Sequence, residues 1–363
     1  MVESAAGPDS VDHDTFWIDR DDGTKLFTRR WRRGGKRAAS GGSGASGDGE
    51  PGDGEPAALL LLVHGMAEHS LRYARFARAC GRRGIEVWAA DMRGHGKTAG
   101  PIKNGEGKNG EGAGGLLGHC ADSGGFFRAV EDIRGVARYM AKTARTEYGG
   151  DVPFFIMGHS WGSFLVQGYI EDPAESPPLS GCVLSGTRGP GGAKIVLGAA
   201  FLSLLARLKG ARRFSKLAQA LSTGSYNKPF RPNRTPFDWL SGDPKEVDAY
   251  IADPLCGRPC SSGFYRDMIG GLAAIHRKSA MARIDKNLPL YAFYGDADPV
   301  GDMGASPGNL FSVYRSLGMI ALEFHRYPGC RHEALNETCR DDVTEELLDW
   351  LSGRIEDTRI EDT

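Results

Sequence analysis

Residues 154–166 are the most informative part of the chain about its fold and read Phe154-Phe155-Ile156-Met157-Gly158-His159-Ser160-Trp161-Gly162-Ser163-Phe164-Leu165-Val166. An apolar run typical of a buried strand leads into a Gly-x-Ser-x-Gly turn, and apolar residues then continue as a helix. Gly158 and Gly162, the first and fifth residues of this turn, suit it, because a side chain at either position would meet crowded backbone. A strand, turn and helix of this kind present Ser160 at the carboxyl end of a strand, which is the setting of a nucleophilic serine.

The Gly-x-Ser-x-Gly pattern is weak when it stands alone, since 52 of the 363 residues are glycine and an ordinary turn could carry it. A serine nucleophile also needs a histidine base that a carboxylate positions. Asp298 and His332 each follow an apolar run, which gives the order Ser, Asp, His. Each also suits a structural role, Asp298 as a turn or cap residue and His332 as a loop histidine. Spacing does not separate Asp298 from Asp296.

Backbone N–H groups must stabilise the oxyanion that forms when a serine attacks a carbonyl. The loop at 64–69, which reads His-Gly-Met-Ala-Glu-His, directly follows an apolar run, where such donors are expected. The N–H groups of Met66 and of Trp161, the residue after the serine, are predicted to form this oxyanion hole. For His64 and Glu68 we predict hydrogen bonds that shape the loop rather than a part in the chemistry.

Short apolar runs alternate with helical patterns along the chain. The clearest helical pattern follows a cap at Asp122 or Ser123. Near the beginning of the chain, an Asp-Gly turn at 21–24 joins two strand-like runs into a hairpin. The alternation predicts a mostly parallel, doubly wound α/β sheet with strands buried on both faces. The predicted strands are 16–19, 26–31, 58–63, 85–90, 153–157, 181–185, 288–294 and 322–327, and the helix face consists of Phe126, Val130, Ile133, Ala137 and Met140.

Residues 187–283 interrupt this alternation with helical apolar stretches and a segment rich in Pro and aromatic residues. Because they lie between two predicted core strands, we predict a helical cap over the carboxyl edge of the sheet, where ligands of such sheets bind. The core then comprises 15–186 and 284–352. Composition predicts a disordered N-terminus at 1–14, flexible Gly-rich insertions at 34–56 and 100–115, and a flexible tail at 353–363.

The overall composition excludes several classes of function. The formal net charge is −1 and the cations are spread along the chain, so a nucleic-acid partner is not expected. No segment has the apolar length of a membrane span and the first residues do not form a secretory signal, so we predict a cytoplasmic protein. Seven scattered cysteines without a Cys-x-x-Cys pair predict neither a disulfide framework nor a zinc site. The sequence makes no prediction about oligomeric state.

Five motifs occur in order along the chain: His64-Gly65-Met66-Ala67-Glu68-His69 with Arg72-Tyr73, Asp91-Met92-Arg93-Gly94-His95-Gly96, Gly158-His159-Ser160-Trp161-Gly162, Gly295-Asp296-Ala297-Asp298, and Arg331-His332-Glu333-Ala334-Leu335-Asn336-Glu337. Together they resemble the monoacylglycerol lipase and lysophospholipase branch of the α/β-hydrolases, which is grouped by sequence with the serine aminopeptidase S33 type. The resemblance covers most of the chain and implies the α/β-hydrolase fold. It also implies that Asp298, rather than Asp296, is the acid of the triad. The two Gly-rich insertions depart from the family pattern.

These residues lead to the hypothesis of a serine ester hydrolase that works through an acyl-enzyme, without a metal or other cofactor. The expected substrate is a single-chain fatty-acyl ester, a monoacylglycerol or a lysophospholipid. Cations in the cap suggest transient contact with an anionic membrane surface, although packing within the cap and a solvated basic face explain the same pattern. Five apolar residues of the cap are candidates for binding the acyl chain: Ile195, Leu197, Phe201, Leu204 and Leu205.

Two other functions remain open. An aminopeptidase or amidase with the same triad would need acidic residues in the cap to hold an amine, and Asp238, Asp243 and Glu246 are candidates, although they also suit helix caps and solvated positions. A non-catalytic protein of this fold would bind a lipid or a partner, but such proteins usually lack a triad member. Haloalkane dehalogenase and epoxide hydrolase chemistry is disfavoured, because those relatives have Asp where this chain has Ser160.

Overall fold

The structure, a computed structural model, describes residues 13–32, 54–99, 116–173 and 176–361. The predicted insertion at 100–115 lies outside these described residues, as do most of the predicted N-terminal segment at 1–14 and of the insertion at 34–56. The last residue of the predicted N-terminal segment, Asp14, already belongs to a strand.

Eight strands in the described residues form one sheet: β1 (Asp14–Asp19), β2 (Lys25–Trp31), β3 (Ala58–Val63), β4 (Ile85–Ala90), β5 (Phe154–His159), β6 (Gly181–Ser185), β7 (Leu290–Gly295) and β8 (Leu322–Tyr327). Their spatial order is β1-β2-β4-β3-β5-β6-β7-β8. Strands β1 and β2 form the predicted hairpin, and β2 also pairs antiparallel with β4. All other neighbours are parallel, so the predicted mostly parallel sheet is confirmed.

The helices of the described residues cover both faces of this sheet. They are α1 (Ala74–Arg82), α2 (Gly125–Tyr148), α3 (Trp161–Ile170), α4 (Gly192–Lys209), α5 (Lys216–Ser222), α6 (Pro244–Ala252), α7 (Ser262–Ile275), α8 (Lys278–Met281), α9 (Ala305–Ser316) and α10 (Arg340–Glu361). Leu59 and Leu61 of β3 share a core with α2, α3 and α9, whereas Leu60 and Leu62 share one with α1 and α10. None of these helices is long and apolar enough to cross a bilayer.

Helices α4 to α8 lie between β6 and β7, in the segment predicted as a cap. They do not form an independent unit. Helix α7 packs against α2 and α3, and its Phe264, Met268 and Leu272 belong to the same core as the sheet. Helix α4 in turn packs along α7. The insertion is therefore anchored to the sheet through α7.

Strand β8 differs from the prediction that every strand is buried on both faces. It lies at the edge of the sheet, with β7 as its neighbour on one side. Glu323, Phe324 and Arg326 are exposed on it. The apolar run at 322–327 is interrupted by charged residues, as expected for an edge strand that faces solvent.

The apolar face predicted for helix α2 is confirmed, because all five residues of that face are buried. The predicted cap at Asp122 or Ser123 is wrong. The helix begins after Gly124, whose backbone is left-handed with φ 65°. The Asp122 carboxylate pairs instead with Arg212, at 2.8 Å. That partner is distant in the chain, so the local sequence gave no indication of it.

Residues 353–361 are helical, contrary to the prediction of a flexible tail at 353–363, whose last two residues lie outside the described part of the chain. Helix α10 continues to Glu361, and Ile355 is buried with 5 % of its surface exposed. Val343, Leu347 and Leu351 lie in the same core as Ile355. The helix persists because this apolar side continues to cover the sheet.

The Ile355→Ala variant tests whether the end of the chain is part of the core. We expect the free energy of unfolding to fall by about 2–4 kcal/mol, since the shortened side chain loses buried contacts and leaves a cavity. Urea denaturation followed by circular dichroism measures this change. Glu356→Ala, at the exposed neighbouring position, is the control and should stay within about 0.5 kcal/mol of the parent. Equal stability of the two variants would contradict the burial of Ile355.

Candidate active site

Ser160 occupies the sharp turn between β5 and α3. Its backbone has φ 53° and ψ −123°, a region that residues other than glycine rarely adopt. The Ser160 N–H donates to the carbonyl of Ser185 at the end of β6, and the Ser160 carbonyl accepts the Ser163 N–H, both at 2.9 Å. These bonds hold the strained turn and place Ser160 at the carboxyl edge of the sheet.

The two glycines of the turn are required by close approach of backbone, as predicted. A Cβ at Gly158 would lie 2.5 Å from the carbonyl oxygen of Gly162. A Cβ at Gly162 would lie 2.2 Å from the carbonyl oxygen of Val63, the last residue of β3. The serine turn therefore packs directly against the end of β3.

His332 and Asp298 form a buried pair. His332 Nδ1 lies 2.9 Å from Asp298 Oδ2, and the two side chains are 2 % and 0 % exposed. The other oxygen of Asp298 accepts the Val300 N–H at 2.8 Å, so both oxygens are held. Asp296, which the spacing left open, is half-buried and accepts the Gly329 N–H at 2.7 Å instead. The geometry favours Asp298 as the partner of the histidine.

This pairing determines how His332 holds its proton. Burial by itself lowers the pKa of the ring, but the Asp298 carboxylate outweighs burial and raises the pKa above its ordinary value. Because the Nδ1–H group donates a hydrogen bond to the carboxylate, the proton of the neutral ring is on Nδ1 and Nε2 is the basic nitrogen. His332 lines the same cavity as Ser160. A basic nitrogen and a serine hydroxyl thus share one cavity.

His159, the residue before the serine, also belongs to the site, and sequence reasoning assigned it no role. Its ring lies 4.8 Å from the ring of His332, and its Nδ1 bonds the Ser185 hydroxyl at 3.0 Å. Burial, together with the neighbouring His332, lowers the pKa of His159 to about 4, so it is neutral at pH 7. The Trp239 ring lies 5.1 Å from His332. The imidazole of His332 is packed between neutral aromatic groups.

The loop after β3 lies against the serine turn. A Cβ on Gly65 would come within 3.1 Å of Ser160 Cβ. Within the described residues, neither the Met66 N–H nor the Trp161 N–H donates to a protein acceptor. Trp161 is the first residue of α3, and the first N–H groups of a helix have no acceptor within that helix. Both groups predicted for an oxyanion hole are therefore available as donors near the serine.

Hydrogen bonds within this loop explain His64 and Glu68. His64 accepts the Met92 N–H on Nε2 at 2.9 Å, and its Nδ1 lies 2.7 Å from the Gly65 carbonyl oxygen. Glu68 accepts the Gly65 N–H at 2.6 Å and the Tyr73 hydroxyl at 2.8 Å. Both side chains shape the loop, which agrees with the structural role predicted for them.

Arg72 connects this loop to the histidine loop and to the insertion. Its guanidinium makes two bonds of 2.7 Å to Glu333, the residue after the histidine, and one of 2.6 Å to Glu68. It also lies 4.8 Å from the ring centre of Tyr250, whose hydroxyl donates to the Ala67 carbonyl at 2.9 Å. Burial raises the pKa of each carboxyl, but Arg72 outweighs this effect and lowers both. A single, largely buried cation therefore holds three segments around the serine.

Ser160 and His332 line a cavity of about 460 Å³ at the edge of the sheet. The insertion supplies much of its wall from α5, the segment between α5 and α7, and α7 itself. Phe237, Trp239 and Leu240 make part of the wall apolar, and Lys216 and Arg258 add cationic side chains. The cavity can receive a ligand with both an apolar and a polar part.

The residues predicted to bind an acyl chain do not line this cavity. All five lie on α4. Leu205 is buried in the core and Ile195 packs against it, whereas Leu197, Phe201 and Leu204 are 70 %, 46 % and 55 % exposed. Apolar residues occur on all sides of α4, so the pattern could not indicate which side faces the sheet. The apolar wall of the cavity comes from other parts of the insertion.

The acidic residues considered for an aminopeptidase also lie outside the cavity lining. Asp243 caps α6 by accepting a backbone N–H at 3.0 Å. Glu246 pairs with Arg75 at 2.7 Å, and Asp238 accepts the Arg234 N–H at 2.6 Å. Their observed contacts are structural.

One group of side chains in the described residues has the composition of metal ligands. His69, Asp253 and Cys256 bring ligand atoms within 4.8 Å of one another. His69 Nε2 already bonds Asp253 at 2.8 Å. None of the three lines the cavity of Ser160, so we assign them no part in that site.

Comparison with known proteins gives a consistent family. The family model described as "Serine aminopeptidase, S33" matches residues 54–339. A monoacylglycerol lipase from Mycolicibacterium smegmatis is 28 % identical over 302 residues, which cover 82 % of this chain and 89 % of the relative. A monoglyceride lipase from Rattus norvegicus is 25 % identical and covers 92 % of this chain and 89 % of its own length.

Solved structures share the fold. A carboxyl esterase from Bacillus coagulans in complex with glycerol matches with a TM-score of 0.77 at 24 % identity, over 95 % of this chain and 100 % of the other. A soluble variant of monoglyceride lipase from Saccharomyces cerevisiae gives 0.67 at 17 % identity, over 97 % and 99 % of the two chains. The family model spans most of the chain, including the serine turn and the histidine loop. The chain therefore belongs to the serine aminopeptidase S33 family, in the monoacylglycerol lipase-like branch of the α/β-hydrolases.

Proposed function

We propose that the protein hydrolyses single-chain fatty-acyl esters, a monoacylglycerol or a lysophospholipid. Ser160 is the nucleophile, His332 the base, and Asp298 the carboxylate that orients the base. The observation that carries this proposal is the buried His332–Asp298 pair, which shares a cavity with a serine on a strained turn.

In the first half of the reaction, Ser160 Oγ attacks the ester carbonyl while Nε2 of His332 takes the hydroxyl proton. Asp298 stabilises the imidazolium that forms. His332 then gives the proton to the departing alcohol, and the acyl group stays on the serine. Water attacks the acyl-enzyme in the second half, with His332 again taking and returning a proton, and the fatty acid leaves.

The N–H groups of Met66 and Trp161 stabilise the negative oxygen of each tetrahedral intermediate. Both lack a protein acceptor in the described residues, and both residues belong to segments that meet at Ser160. Donors fixed in this way need no reorganisation when the charge develops. Arg72 keeps the two loops in place, since it joins the Met66 loop to the residue after His332.

The cavity supports a lipid ester as substrate. Its volume of about 460 Å³ lies in the usual range for small-molecule sites. Phe237, Trp239 and Leu240 provide an apolar wall for the acyl chain, while Lys216 and Arg258 are placed to meet a polar head group. The relatives named as monoacylglycerol and monoglyceride lipases support the same substrate class.

An ester is favoured over a peptide because, among the described residues that line the cavity, each carboxylate already has a cationic partner and none is left to bind a substrate amine. The acidic side chains in the lining, Glu68 and Glu333, are both paired with Arg72. Asp238, Asp243 and Glu246 are engaged elsewhere. A non-catalytic role would leave the strained serine turn and the buried His332–Asp298 pair without a purpose.

Helix α4 is proposed to contact membranes that contain the substrate. Leu197, Phe201, Leu204 and Leu208 recur at helical spacing and are 70 %, 46 %, 55 % and 75 % exposed. We call these four residues the α4 face. The helix carries Lys194, Arg207 and Lys209 and no acidic residue. An apolar face beside cations suits the surface of an anionic bilayer.

The Ser160→Ala variant tests the reaction itself. Release of fatty acid from a monoacylglycerol and from a lysophospholipid should fall by at least about 10⁴-fold, because no acyl-enzyme can form. The parent should react with a fluorophosphonate and the variant should not. Ser312→Ala, on an exposed position of α9, is the control and should keep full activity. Faster cleavage of an amino-acid anilide than of either lipid would contradict the ester assignment.

The pH dependence of kcat/KM tests the His332–Asp298 pair. His332 must be neutral to accept the serine proton, and its pKa is raised. Activity should therefore fall as the pH drops through a midpoint above about 6.5, the ordinary value for histidine. Asp298→Asn removes the carboxylate that raises the pKa, so the midpoint should move to lower pH and the rate should fall steeply. A midpoint that does not move would show that Asp298 does not act on the base.

Sedimentation with lipid vesicles tests the α4 face. The parent should bind vesicles that contain anionic phosphatidylglycerol, and the double variant Leu197→Ser, Leu204→Ser should bind several-fold less. Its hydrolysis of a water-soluble short-chain ester should be unchanged. Ile320→Ser is the matched control, because Ile320 is 79 % exposed away from α4. Equal loss of binding in both variants would rule out a specific role for this face.

A further inference from the structure

Two cysteines lie on either side of His332 in the chain. The sulfur atoms of Cys330 and Cys339 are 2.7 Å apart, which is closer than two unbonded sulfur atoms normally approach. A disulfide needs about 2.0 Å between its sulfur atoms, so only a small further movement is required. Both residues are free thiols in this structure.

We propose that Cys330 and Cys339 form a reversible disulfide that braces the loop carrying His332. The proposal goes beyond the hydrolytic reaction, and its main test does not require that reaction.

The backbone around Cys330 connects the two halves of the catalytic pair. The Cys330 carbonyl accepts the Ala297 N–H at 3.0 Å, next to Asp298. A Cβ on Gly295 would lie 1.9 Å from the same oxygen, so the strand that leads to Asp298 packs tightly on this residue. A displacement of Cys330 would therefore disturb both Asp298 and His332.

Cys339 provides a firm attachment point. It directly precedes α10, and its carbonyl accepts the Val343 N–H at 3.1 Å in the first turn of that helix. Val343 is fully buried in the core that α10 shares with α1. A bond between the two sulfur atoms would tie the histidine loop to the base of a helix that the core holds in place.

The two thiols differ in access to solvent. Cys339 is half-buried beside the exposed Thr338, whereas Cys330 is buried. Burial raises the pKa of the Cys330 thiol, and the neighbouring Cys339 raises it further. Cys339 is therefore the thiol that a dissolved oxidant meets first.

Oxidised glutathione can supply the oxidising equivalents. The Cys339 thiolate attacks one sulfur of the glutathione disulfide and displaces a glutathione thiolate, which leaves a mixed disulfide on Cys339. Cys330 loses its proton and attacks the Cys339 sulfur, which releases the second glutathione. The protein loses two protons and two electrons, and one glutathione disulfide becomes two glutathione thiols.

The experiment counts thiols in the whole protein after incubation with oxidised glutathione. Alkylation under denaturing conditions should show that the number of reactive thiols falls from seven to five. Mass spectrometry should find the peptides of Cys330 and Cys339 joined, and dithiothreitol should restore seven thiols. The melting temperature should be higher in the oxidised form by roughly 2–5 °C, because the bridge restricts the unfolded chain.

Two matched variants separate this pair from general oxidation. Cys339→Ser should lose both the joined peptides and the shift in melting temperature. Cys120→Ser, which removes another half-buried cysteine, should keep both. If all parent thiols remain free, or if glutathione stays attached to Cys339 without release, the proposed bond does not form. A linkage that persists in Cys339→Ser would assign the oxidation to other cysteines.

Discussion

The serine turn packs directly against the end of β3, and the geometry of the whole site follows from this contact. Gly162 packs so tightly on the Val63 carbonyl that even a methyl group would overlap it. Strands β3 and β5 are parallel neighbours, with Val63 opposite Gly158. The loop after β3 and the turn after β5 therefore leave the sheet side by side. This arrangement brings the Met66 and Trp161 segments together at Ser160.

Charge burial is the second organising feature of the site. Buried ions are unfavourable unless they are paired. Asp298 meets this requirement through His332, and Glu68 and Glu333 meet it together through Arg72. The His332–Asp298 and Arg72–Glu333 pairs join residues from different loops, so the need for a partner also fixes the positions of those loops. The interactions that neutralise the charges thus also fix the loops that carry the base and the oxyanion donors around the serine.

Much of the site could be predicted because its motifs follow strands directly. A residue just after a parallel strand must lie at the carboxyl edge, so Ser160, Asp298 and His332 were expected to come together. Trp239 gave no comparable signal, since it lies in an irregular segment of the insertion. The five residues predicted to bind the acyl chain do not line the cavity, because α4 is apolar on all sides and its sequence does not indicate which side faces the sheet. The flexible tail was wrong because a charged helix can still bury one apolar side, as Ile355 does.

The mostly parallel sheet, the tight serine turn and the order of the candidate catalytic residues can all be inferred from the amino-acid sequence alone. These features follow from local rules, namely the length of apolar runs and the space that glycine leaves for backbone. Which face of α4 meets solvent and which residues form the cavity are known only from the folded chain. The folded chain also shows that Arg72 joins two loops and that Asp122 pairs with Arg212. Those outcomes depend on contacts between residues far apart in the chain, which local sequence rules do not describe.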